Sequence, residues 1–370
     1  MVKINTEDLK NGTNLISKVW LGTKLIRSSE YLFISVKDNN LTLLNSDIDN
    51  IVSVSIPIEN TDSESINEFI SGQTFYRLVN LINNTKEVNL LLSDNAIILE
   101  YGKNRAVFET LDKTEAEEFI KEIPTILGNS VSVKSVDFLE ALRVLSSANN
   151  KVDVVSIISN FYIGKSGAFA TNNYRICSAK DSVINFSDSD KEGYLLPIRL
   201  VNILKIFEGK ENIEFYGDEN NEYLFFKSEN ITVAGIDGPN LEKYPVKPIL
   251  DLLKVEVDAS FKILKSSFSS SLNRLKLFIK DGDRGAIKVK VKNNQLILNS
   301  LNKSNKEILD LRSDTDTKDY EYESKFDIAN FISILEEVDD TDIVISFVKE
   351  KYIIIETEKY KYLSAIMVGD

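Results

Sequence analysis

Three segments of the chain carry apolar residues at the three- and four-residue spacing of an amphipathic helix, and strand-like segments follow each of them. The three apolar stripes are Phe75, Leu78, Val79 and Ile82; Leu200, Ile203, Leu204 and Phe207; and Ile328, Phe331, Ile332 and Leu335. The letters Arg-Leu-Val-Asn occur in the first two helices, at residues 77–80 and 199–202. The order helix, strand, strand, strand therefore occurs three times.

The segment that precedes each of these helices repeats as well. Residues 5–20, 135–150 and 258–273 each fit an amphipathic helix, and strands follow each one. Each repeat is about 120 residues long and contains helix, strands, helix and strands. Pro or Gly interrupts the pattern near residues 128 and 252, so we expect domains at 1–128, 129–252 and 253–370. The pattern predicts an α+β fold of three repeated domains, each with two helices packed on antiparallel sheets.

Composition narrows the possible functions. With 43% hydrophobic residues among 370, the chain can bury several cores, and it contains no run of 18 apolar residues and no signal-peptide pattern at its start. We therefore expect a soluble, cytoplasmic protein. The single Cys177 excludes an internal disulfide and is expected to be a small buried residue. The absence of histidine excludes Ser-His-Asp and Cys-His catalysis and histidine-ligated metals, and no cofactor is predicted.

The net charge of −13 disfavours nucleic acid as a partner unless the positive charges gather on one surface. The helix faces opposite the apolar stripes are mostly basic and amide. They carry Lys10, Asn14 and Lys18; Gln73, Arg77, Asn80 and Asn84; Lys134, Arg143, Arg199, Asn202 and Lys205; and Lys262, Lys265, Ser269 and Asn273. Glu140 is an exception, and the last helix shows Asn330, Ser333 and Glu337 instead. A solvated helix face remains the alternative interpretation of each such stripe.

Four segments, taken in order, resemble the bacterial sliding clamp, the β subunit of DNA polymerase III. They are residues 169–180 (FATNNYRICSAK), 194–209 (YLLPIRLVNILKIFEG), 235–250 (GIDGPNLEKYPVKPIL) and 306–311 (KEILDL). The first is similar to the family's Thr-Asp-Gly-His-Arg-Leu segment and the third to its Asp-Gly-x-Phe-Pro-x-Tyr linker. The resemblance covers nearly the whole chain and suggests a divergent member, of cellular, plasmid or phage origin.

The resemblance implies a non-enzymatic replication processivity factor. Such clamps are head-to-tail homodimers whose six domains close a ring, with twelve helices lining a channel around double-stranded DNA. The channel contacts phosphates without reading the base sequence. The implied partners are duplex DNA, a DNA polymerase, the clamp loader and a second copy of the chain. The basic residues that would line the channel are Lys10, Lys18, Lys24, Arg77, Lys134, Arg143, Arg199, Lys205, Lys262 and Lys265.

The family also binds a short, partly apolar partner peptide in a hydrophobic pocket. Matched position by position, that pocket would consist of Ile157, Thr171, Asn173, Tyr174, Arg175, Ile176, Leu241, Pro245, Val246, Leu363, Ala365, Ile366 and Met367. Asn173 and Tyr174 stand where the family has Gly and His, and the tail AIMVGD replaces Met-Pro-Met-Arg-Leu. We therefore expect a partner peptide that differs from the family's consensus, because Asp370 would disfavour acidic residues in it.

The resemblance also implies a subunit interface between the first domain of one chain and the third domain of the other. Phe108, in the segment RAVFETL, and Leu272 and Leu275, in the segment SLNRLKLF, lie at matching places. We expect these side chains to contribute to the interface.

Two alternatives remain. An enzyme would need a catalytic group, and the acidic clusters at 187–193, 313–319 and 339–342 are the candidates. The first lacks the glutamate that closes a calcium loop, since Arg199 falls there, and the chain has neither a phosphate-binding loop nor a dinucleotide motif. The other alternative is a clamp-like scaffold that binds proteins without encircling DNA, which the weakly basic last helix and the altered tail favour.

Overall fold

The computed structural model describes all residues except 20–29, 38, 48, 61–64, 112–125, 127–128, 150–156, 181–182, 185–190, 218–222, 239–240, 281–284, 313–319 and 368–370. The chain divides into two compact units. The first consists of residues Met1–Val136 and Arg199–Asp237, and the second of Asp137–Ile198 and Gly238–Asp370.

Helices and strands alternate as the sequence pattern predicts. The α-helices in the described residues are α1 (Thr6–Ile16), α2 (Gly72–Leu81), α3 (Ser135–Leu145), α4 (Ile198–Leu204), α5 (Val246–Leu253), α6 (Lys265–Lys276) and α7 (Ile328–Glu337). Short 3-10 turns extend α1, α3 and α4 at Ser17–Val19, Ser146–Ala148 and Lys205–Phe207. The helix pairs α1–α2 and α6–α7 contact each other within their units.

The strands of the first unit form two sheets. They are β1 (Val2–Asn5), β2 (Tyr31–Lys37), β3 (Asn40–Ser46), β4 (Asn50–Pro57), β5 (Glu59–Asn60), β6 (Ile66–Ser71), β7 (Glu87–Ser93), β8 (Ala96–Tyr101), β9 (Asn104–Glu109) and β10 (Ser130–Lys134), with β15 (Asn212–Gly217), β16 (Tyr223–Ser228) and β17 (Ile231–Ile236). The five-stranded sheet has the order β5-β1-β7-β8-β9, and the eight-stranded sheet the order β10-β15-β16-β17-β4-β3-β2-β6.

The second unit also has two sheets. Its strands are β11 (Phe161–Gly164), β12 (Gly167–Thr171), β13 (Arg175–Ala179), β14 (Gly193–Leu196), β18 (Ala259–Leu264), β19 (Ala286–Lys292), β20 (Gln295–Ser300), β21 (Lys306–Asp310), β22 (Tyr322–Asp327), β23 (Asp342–Val348), β24 (Tyr352–Glu356) and β25 (Tyr360–Ala365). The eight-stranded sheet has the order β14-β11-β12-β13-β25-β24-β23-β18, and the four-stranded sheet β21-β20-β19-β22.

The strands of the middle sequence repeat are shared between the two large sheets. In the first unit β17 pairs antiparallel with β4, so that Ile231 lies opposite Val54. In the second unit β13 pairs antiparallel with β25, so that Ile176 lies opposite Leu363. Backbone hydrogen bonding therefore joins each half of the middle repeat to a neighbouring repeat, which is why three sequence repeats form two compact units.

The apolar stripes read from the sequence lie in the core. Eleven of the twelve stripe residues are buried, and Leu78 is half-buried, which confirms the helix faces. Polar side chains fix the helix starts: Asn5 accepts hydrogen bonds from the backbone N–H groups of Glu7 and Asp8, and Asp327 accepts one from Ala329 at 2.9 Å. The confirmed class is α+β, with helices packed on antiparallel sheets.

The polar stripe of α7 is only partly exposed, because its residues contact other parts of their own unit. Asn330 donates to the Ser364 hydroxyl at 3.2 Å, and Ser333 donates to the carbonyl of Ser147 at 3.3 Å. Glu337 accepts a 2.6 Å hydrogen bond from Arg143. The stripe is polar because it contacts hydrogen-bonding groups of its own unit, a pattern that periodicity cannot distinguish from exposure to water.

Two further findings concern the described part of the chain. No helix in it is long and apolar enough to cross a membrane. Cys177 is a buried free thiol, and its burial raises its pKa to about 12. Such a thiol stays protonated and weakly nucleophilic near neutral pH.

Candidate functional site

The turn between β12 and β13 is fixed by its own side chains. The Asn172 carboxamide oxygen accepts from the backbone N–H groups of Tyr174 at 3.2 Å and Arg175 at 3.1 Å. The Thr171 hydroxyl donates to the carbonyl of Arg175 at 2.7 Å. Asn and Thr stabilise turns in this way because their short polar side chains reach nearby backbone groups. The turn is therefore held in one conformation and presents Tyr174, whose side chain is 70% exposed.

Asn173 occupies the left-handed backbone region, with φ of 73°. Most side chains are strained there, whereas Gly is unstrained and Asn is among the best tolerated of the other residues. This explains why Asn173 can stand where the resembling segment has Gly. Asn173 therefore adds a side chain that Gly lacks, while the backbone of the turn can adopt the same conformation.

The end of the chain is attached to this turn. The N–H of Ala365, the last residue of β25, donates to the carbonyl of Tyr174 at 2.8 Å. The Ile366 N–H then donates to the carbonyl of Lys351 at 3.0 Å, and the Met367 N–H to that of Lys325 at 2.8 Å. Residues 365–367, matched to the pocket by resemblance, therefore lie beside the turn that contains Thr171 to Arg175.

An aromatic cluster lies on the face of the sheet that α5 covers. Tyr162 and Phe169 stack with ring centroids 4.5 Å apart, and Tyr244 lies 6.2 Å from each. The Tyr244 hydroxyl donates to the carbonyl of Asn160 at 3.2 Å, and its burial raises its pKa well above the ordinary value. The linker is thereby anchored on the sheet, and its neighbours Leu241 and Val246 pack against the same cluster.

The structure brings five of the predicted pocket residues into this one apolar cluster. They are Ile157, Ile176, Leu241, Val246 and Leu363, of which Ile176 and Leu363 are buried and the others partly exposed. Residues that the sequence reading missed are the aromatic residues above and Leu250 and Leu253 of α5. β11 and β12 are short, nearly continuous apolar runs buried on both faces, so periodicity does not tell which of their side chains border an opening.

Arg175 points away from the apolar cluster. Residues alternate across a strand, so Arg175 and Ile176 lie on opposite faces of β13. The Arg175 guanidinium donates to the Ser333 hydroxyl at 3.4 Å, while its Nε has no hydrogen-bond partner in the described residues. Burial raises the pKa of Tyr362 to about 12, and the positive charge of Arg175 partly opposes this rise. Arg175 therefore stabilises the face of the sheet that packs on α7.

Four predicted DNA-contacting residues are exposed and form no ion pair within the described residues. These are Lys18, Arg77, Lys134 and Lys205, all in the first unit. Arg77 and Lys205 lie on the faces of α2 and of the α4 extension opposite the buried stripes, as predicted. Exposed cations without a protein partner are available to an external anion.

The other predicted channel residues are more constrained. Arg143 is paired with Glu337 at 2.6 Å, Arg199 approaches Asp49 at 3.8 Å, and Lys10 approaches Glu7 at 3.5 Å. The half-buried Lys265 donates from Nζ to the Val338 carbonyl, and Lys262 is exposed on β18. Lys24 lies outside the described residues. The sequence could not distinguish Arg143, Arg199 and Lys265 from the available cations because their partners are far away in the chain, whereas the partner of Lys10 lies only three residues away.

The residues predicted at the subunit interface require a correction. Leu272 and Leu275 have no exposed surface, and Phe108 is 6% exposed and packs edge-on against Phe75 at 5.3 Å. Their side chains therefore belong to the cores of their units. A match in sequence position identifies the strand or helix, but it does not tell which face of that element a side chain occupies. The exposed apolar residues nearby are Val107, Leu277, Phe278 and Ile308.

The exposed Val107 and Ile308 lie in two strands at the edges of their sheets. β9 is the last strand of the five-stranded sheet, and β21 is the last strand of the four-stranded sheet. Val107 in β9 is 55% exposed, and Ile308 in β21 is 49% exposed. Terminal strands with exposed apolar residues favour pairing with another chain.

Solved structures identify the class to which this fold belongs. The chain matches a protein described as a DNA polymerase III β subunit of Eubacterium rectale with a TM-score of 0.83 and 19% identity, over 99% of this chain and 98% of that one. It matches a DNA polymerase sliding clamp of Pseudomonas aeruginosa with a TM-score of 0.83 and 13% identity, over 99% of both chains. It matches the DNA polymerase III β subunit of Thermotoga maritima with a TM-score of 0.80 and 15% identity, over 100% of both chains.

The fold is therefore that of a DNA sliding clamp. More specifically, it is the three-repeat fold of the DNA polymerase III β subunit, as the sequence resemblance indicated. No protein-family model matches the sequence, and no curated protein is significantly similar to it.

Proposed function

We propose that this protein is a DNA sliding clamp, a non-enzymatic processivity factor that encircles duplex DNA and tethers a DNA polymerase. The observation that carries the proposal is the match to sliding clamps over 98–100% of both chains. A protein that performs this function acts on replicating DNA, so we expect it in the cytoplasm.

Encirclement explains how so acidic a protein can work on DNA. A closed ring is retained by topology, so its inner cations need only weak, exchangeable contacts with phosphates. Lys18, Arg77, Lys134 and Lys205 are the exposed cations best suited to this role. The acidic remainder, which dominates the net charge of −13, disfavours binding of DNA elsewhere on the surface.

The apolar cluster beneath α5 supports the proposed capture of partner peptides. Ile157, Leu241 and Val246 are partly exposed around buried aromatic rings, and the rigid turn at 171–175 borders the chain end at 365–367. Partly exposed apolar side chains beside a rigid turn are suited to bind the apolar residues of a short peptide. A sliding clamp of Caulobacter crescentus has been solved with polyethylene glycol at a region described as tethering a β-motif.

Ring closure is proposed to occur by pairing of β9 of one chain with β21 of a second copy. The Thr110 N–H donates to the carbonyl of Asn95, next to the β8–β9 ladder, so even-numbered residues of β9 bond inward. The Leu311 N–H donates to the carbonyl of Asn294, so odd-numbered residues of β21 bond inward. The outward-facing backbone groups therefore belong to residues 105, 107 and 109 of β9 and 306, 308 and 310 of β21.

One antiparallel register matches these residues chemically. When Val107 lies opposite Ile308, Arg105 lies opposite Asp310 and Glu109 lies opposite Lys306. Shifting the register by two residues in either direction would place Val107 opposite Lys306 or Asp310. All six side chains are exposed. Cross-strand apolar and opposite-charge pairs stabilise a sheet, so this register is the one that we propose.

The decisive experiment combines mass and topology. Sedimentation equilibrium should show a species of two chains, each of 41.8 kDa. After loading onto nicked circular DNA, the protein should remain bound in high salt and be released when the circle is linearised. A monomer at all concentrations that also leaves circular and linear DNA equally fast would contradict the proposal.

A protein-binding scaffold that does not encircle DNA is the second candidate. The observation in its favour is that Arg143 and Arg199, two of the cations expected to face DNA, lie beside carboxylates of their own units. A scaffold would bind partner peptides and yet show no difference between circular and linear DNA. The retention assay therefore separates the two functions.

A further inference from the structure

A cavity of about 550 Å³ opens at the C-terminal end of α5, within the second unit. Its lining consists of Lys165, Ser166, Gly167, Ser178, Ala179, Lys180, Leu250, Leu253, Lys254, Glu356 and Lys361. None of these residues is among those matched to the peptide pocket by resemblance. The volume falls within the range of about 300–1,000 Å³ that is typical of ligand sites.

The cavity is strongly positive for a protein of net charge −13. Four lysines line it against one carboxylate, Glu356. Lys180 donates to the Thr357 carbonyl at 2.7 Å and lies 3.7 Å from Glu356, while Lys165 lies 3.3 Å from Glu192. Lys254 and Lys361 form no ion pair within the described residues. These two lysines are therefore the ones available to an external anion.

The cavity continues the apolar face of the second large sheet. Gly167, Ser178 and Lys361 each lie two residues along their strands from Phe169, Ile176 and Leu363 of the apolar cluster. Residues two apart share a face of a strand. Leu250 and Leu253 of α5 contact the cluster and also line the cavity. The same surface thus changes from apolar to basic over a short distance.

The helix end at the cavity restricts which anion fits. α5 ends at Leu253, so the negative end of its dipole lies at this site, although the carbonyls of Asp251 and Leu252 already accept the N–H groups of Lys254 and Val255. A compact phosphate would be repelled there and would find no cradle of helix N–H groups. A peptide can instead place uncharged backbone at the helix end and its spaced carboxylates at the lysines.

We propose that this lysine-lined cavity binds an acidic segment of a partner protein, with an apolar side chain of that segment placed against Leu250 and Leu253. The inference rests on the proposed function, because it supplies a second contact for the partner whose apolar residues occupy the pocket. Gly167 and Thr171 are four residues apart on β12, which corresponds to about 13 Å. About four further extended residues of a partner would span that distance.

The test uses the full-length protein and two fluorescein-labelled peptides in anisotropy titrations. One peptide is Leu-Leu-Gly-Glu-Asp-Glu-Glu, and its neutral analogue is Leu-Leu-Gly-Gln-Asn-Gln-Gln. We expect the acidic peptide to bind more tightly, and the double variant Lys254→Gln with Lys361→Gln to weaken its binding about tenfold. The matched control is Lys37→Gln with Lys276→Gln, which removes two exposed lysines elsewhere and should leave binding unchanged.

Three outcomes would overturn the inference. They are equal binding of the two peptides, equal weakening in the Lys254/Lys361 variant and in its control, and complete displacement of the acidic peptide by low millimolar inorganic phosphate, which would indicate a site for small anions. Retention on circular DNA is measured on the same preparations. Retention without acidic-peptide binding rejects this inference alone, whereas loss of retention in the unsubstituted protein rejects the proposed function.

Discussion

Single residues account for the rigidity of the turn that borders the apolar pocket. Asn172 and Thr171 supply the hydrogen bonds, and Asn173 adopts the positive φ that the turn requires. The departure from the resembling segment is therefore conservative for the backbone. It is not conservative for the surface, because Asn173 and Tyr174 both add exposed side-chain volume where Gly and His stand in the resembling segment.

Substitution of Asn173 tests this account. Asn173→Gly should leave the free energy of unfolding unchanged or raise it by up to about 1 kcal/mol, because Gly adopts positive φ without strain. Asn173→Val should lower it by at least about 1 kcal/mol, because a β-branched residue is strained at this φ. Urea unfolding followed by circular dichroism measures both. Equal stability of the two variants would show that the turn does not impose this conformation.

A second residue-scale prediction concerns acid stability. Arg274 donates one bifurcated hydrogen bond from Nε to both oxygens of the Glu307 carboxylate and a 2.6 Å bond from Nη2 to one of them. Hydrogen bonding from Arg274 lowers the pKa of Glu307 below its ordinary value of 4.5, despite the opposing effect of desolvation. A depressed folded-state pKa stabilises the protein above the unfolded-state value, and this contribution is lost as the pH falls through the folded-state value.

Glu307→Gln should therefore reduce stability at pH 7 and flatten its dependence on pH below 4.5. Urea unfolding at a series of pH values measures the slope. The matched control is Glu336→Gln, an exposed carboxylate on α7, which should leave the slope unchanged. Identical slopes in the unsubstituted protein and Glu307→Gln would show that the pair does not persist in solution.

At the scale of elements, β9 and β21 are terminal strands that carry exposed apolar residues suited to pairing with another chain. The exposed residues are Arg105, Val107 and Glu109 on β9 and Lys306, Ile308 and Asp310 on β21. When the two strands run antiparallel with Val107 opposite Ile308, each positive residue lies opposite a negative one. Phe108 of β9 and Leu272 and Leu275 of α6 are buried and pack these elements against the cores of their units. The residues of the proposed interface are thus neighbours of the positions that sequence matching selected.

Charge reversal across the proposed register tests the pairing. Glu109→Lys places two cations opposite each other and should weaken dimerisation about tenfold, from loss of one attractive pair and gain of a repulsive one. Adding Lys306→Glu should restore the affinity. Adding Lys303→Glu instead, in the preceding turn, should not. Sedimentation equilibrium measures the dissociation constants, and restoration by Lys303→Glu would reject the register.

At the scale of the whole molecule, the two eight-stranded sheets connect repeats that are distant in sequence. The Asn230 side chain donates to the carbonyl of Ser55 across 175 positions, beside the ladder of β17 and β4. Such nonlocal pairing depends on the collective burial of many strands. Cations from distant parts of the chain therefore share the surface of one folded unit. We expect DNA retention to depend on several of these cations together.

Removal of four exposed cations tests this collective role. The variant Lys18→Gln, Arg77→Gln, Lys134→Gln and Lys205→Gln should lose affinity for duplex DNA and show a weaker dependence on salt. Each lost phosphate contact reduces the slope of log K against log salt by about 0.9, so four contacts reduce it by about 3 to 4. The control replaces Lys37, Lys86, Lys103 and Lys276 with Gln. Equal slopes for the two variants would assign the binding to net charge alone.

The sequence by itself determined the repeats, the helix faces and the α+β class. These follow from local periodicity, because a stripe such as Leu200, Ile203 and Leu204 is buried whatever sheet it packs against. The family resemblance also selected Ile176, Leu241 and Leu363, which the structure brings into one apolar cluster, while the pocket itself stays a prediction.

Only the tertiary structure decided which cations remain unpaired, which apolar residues face inward and where the lysines converge. Arg143 meets Glu337 across 194 positions, and Lys254 and Lys361 line one cavity from a helix and a strand far apart in the chain. Contacts of this kind depend on how strands pair and which way each side chain points. Periodicity assigns a residue to a face, whereas the neighbour on that face is chosen by the packing of the whole unit.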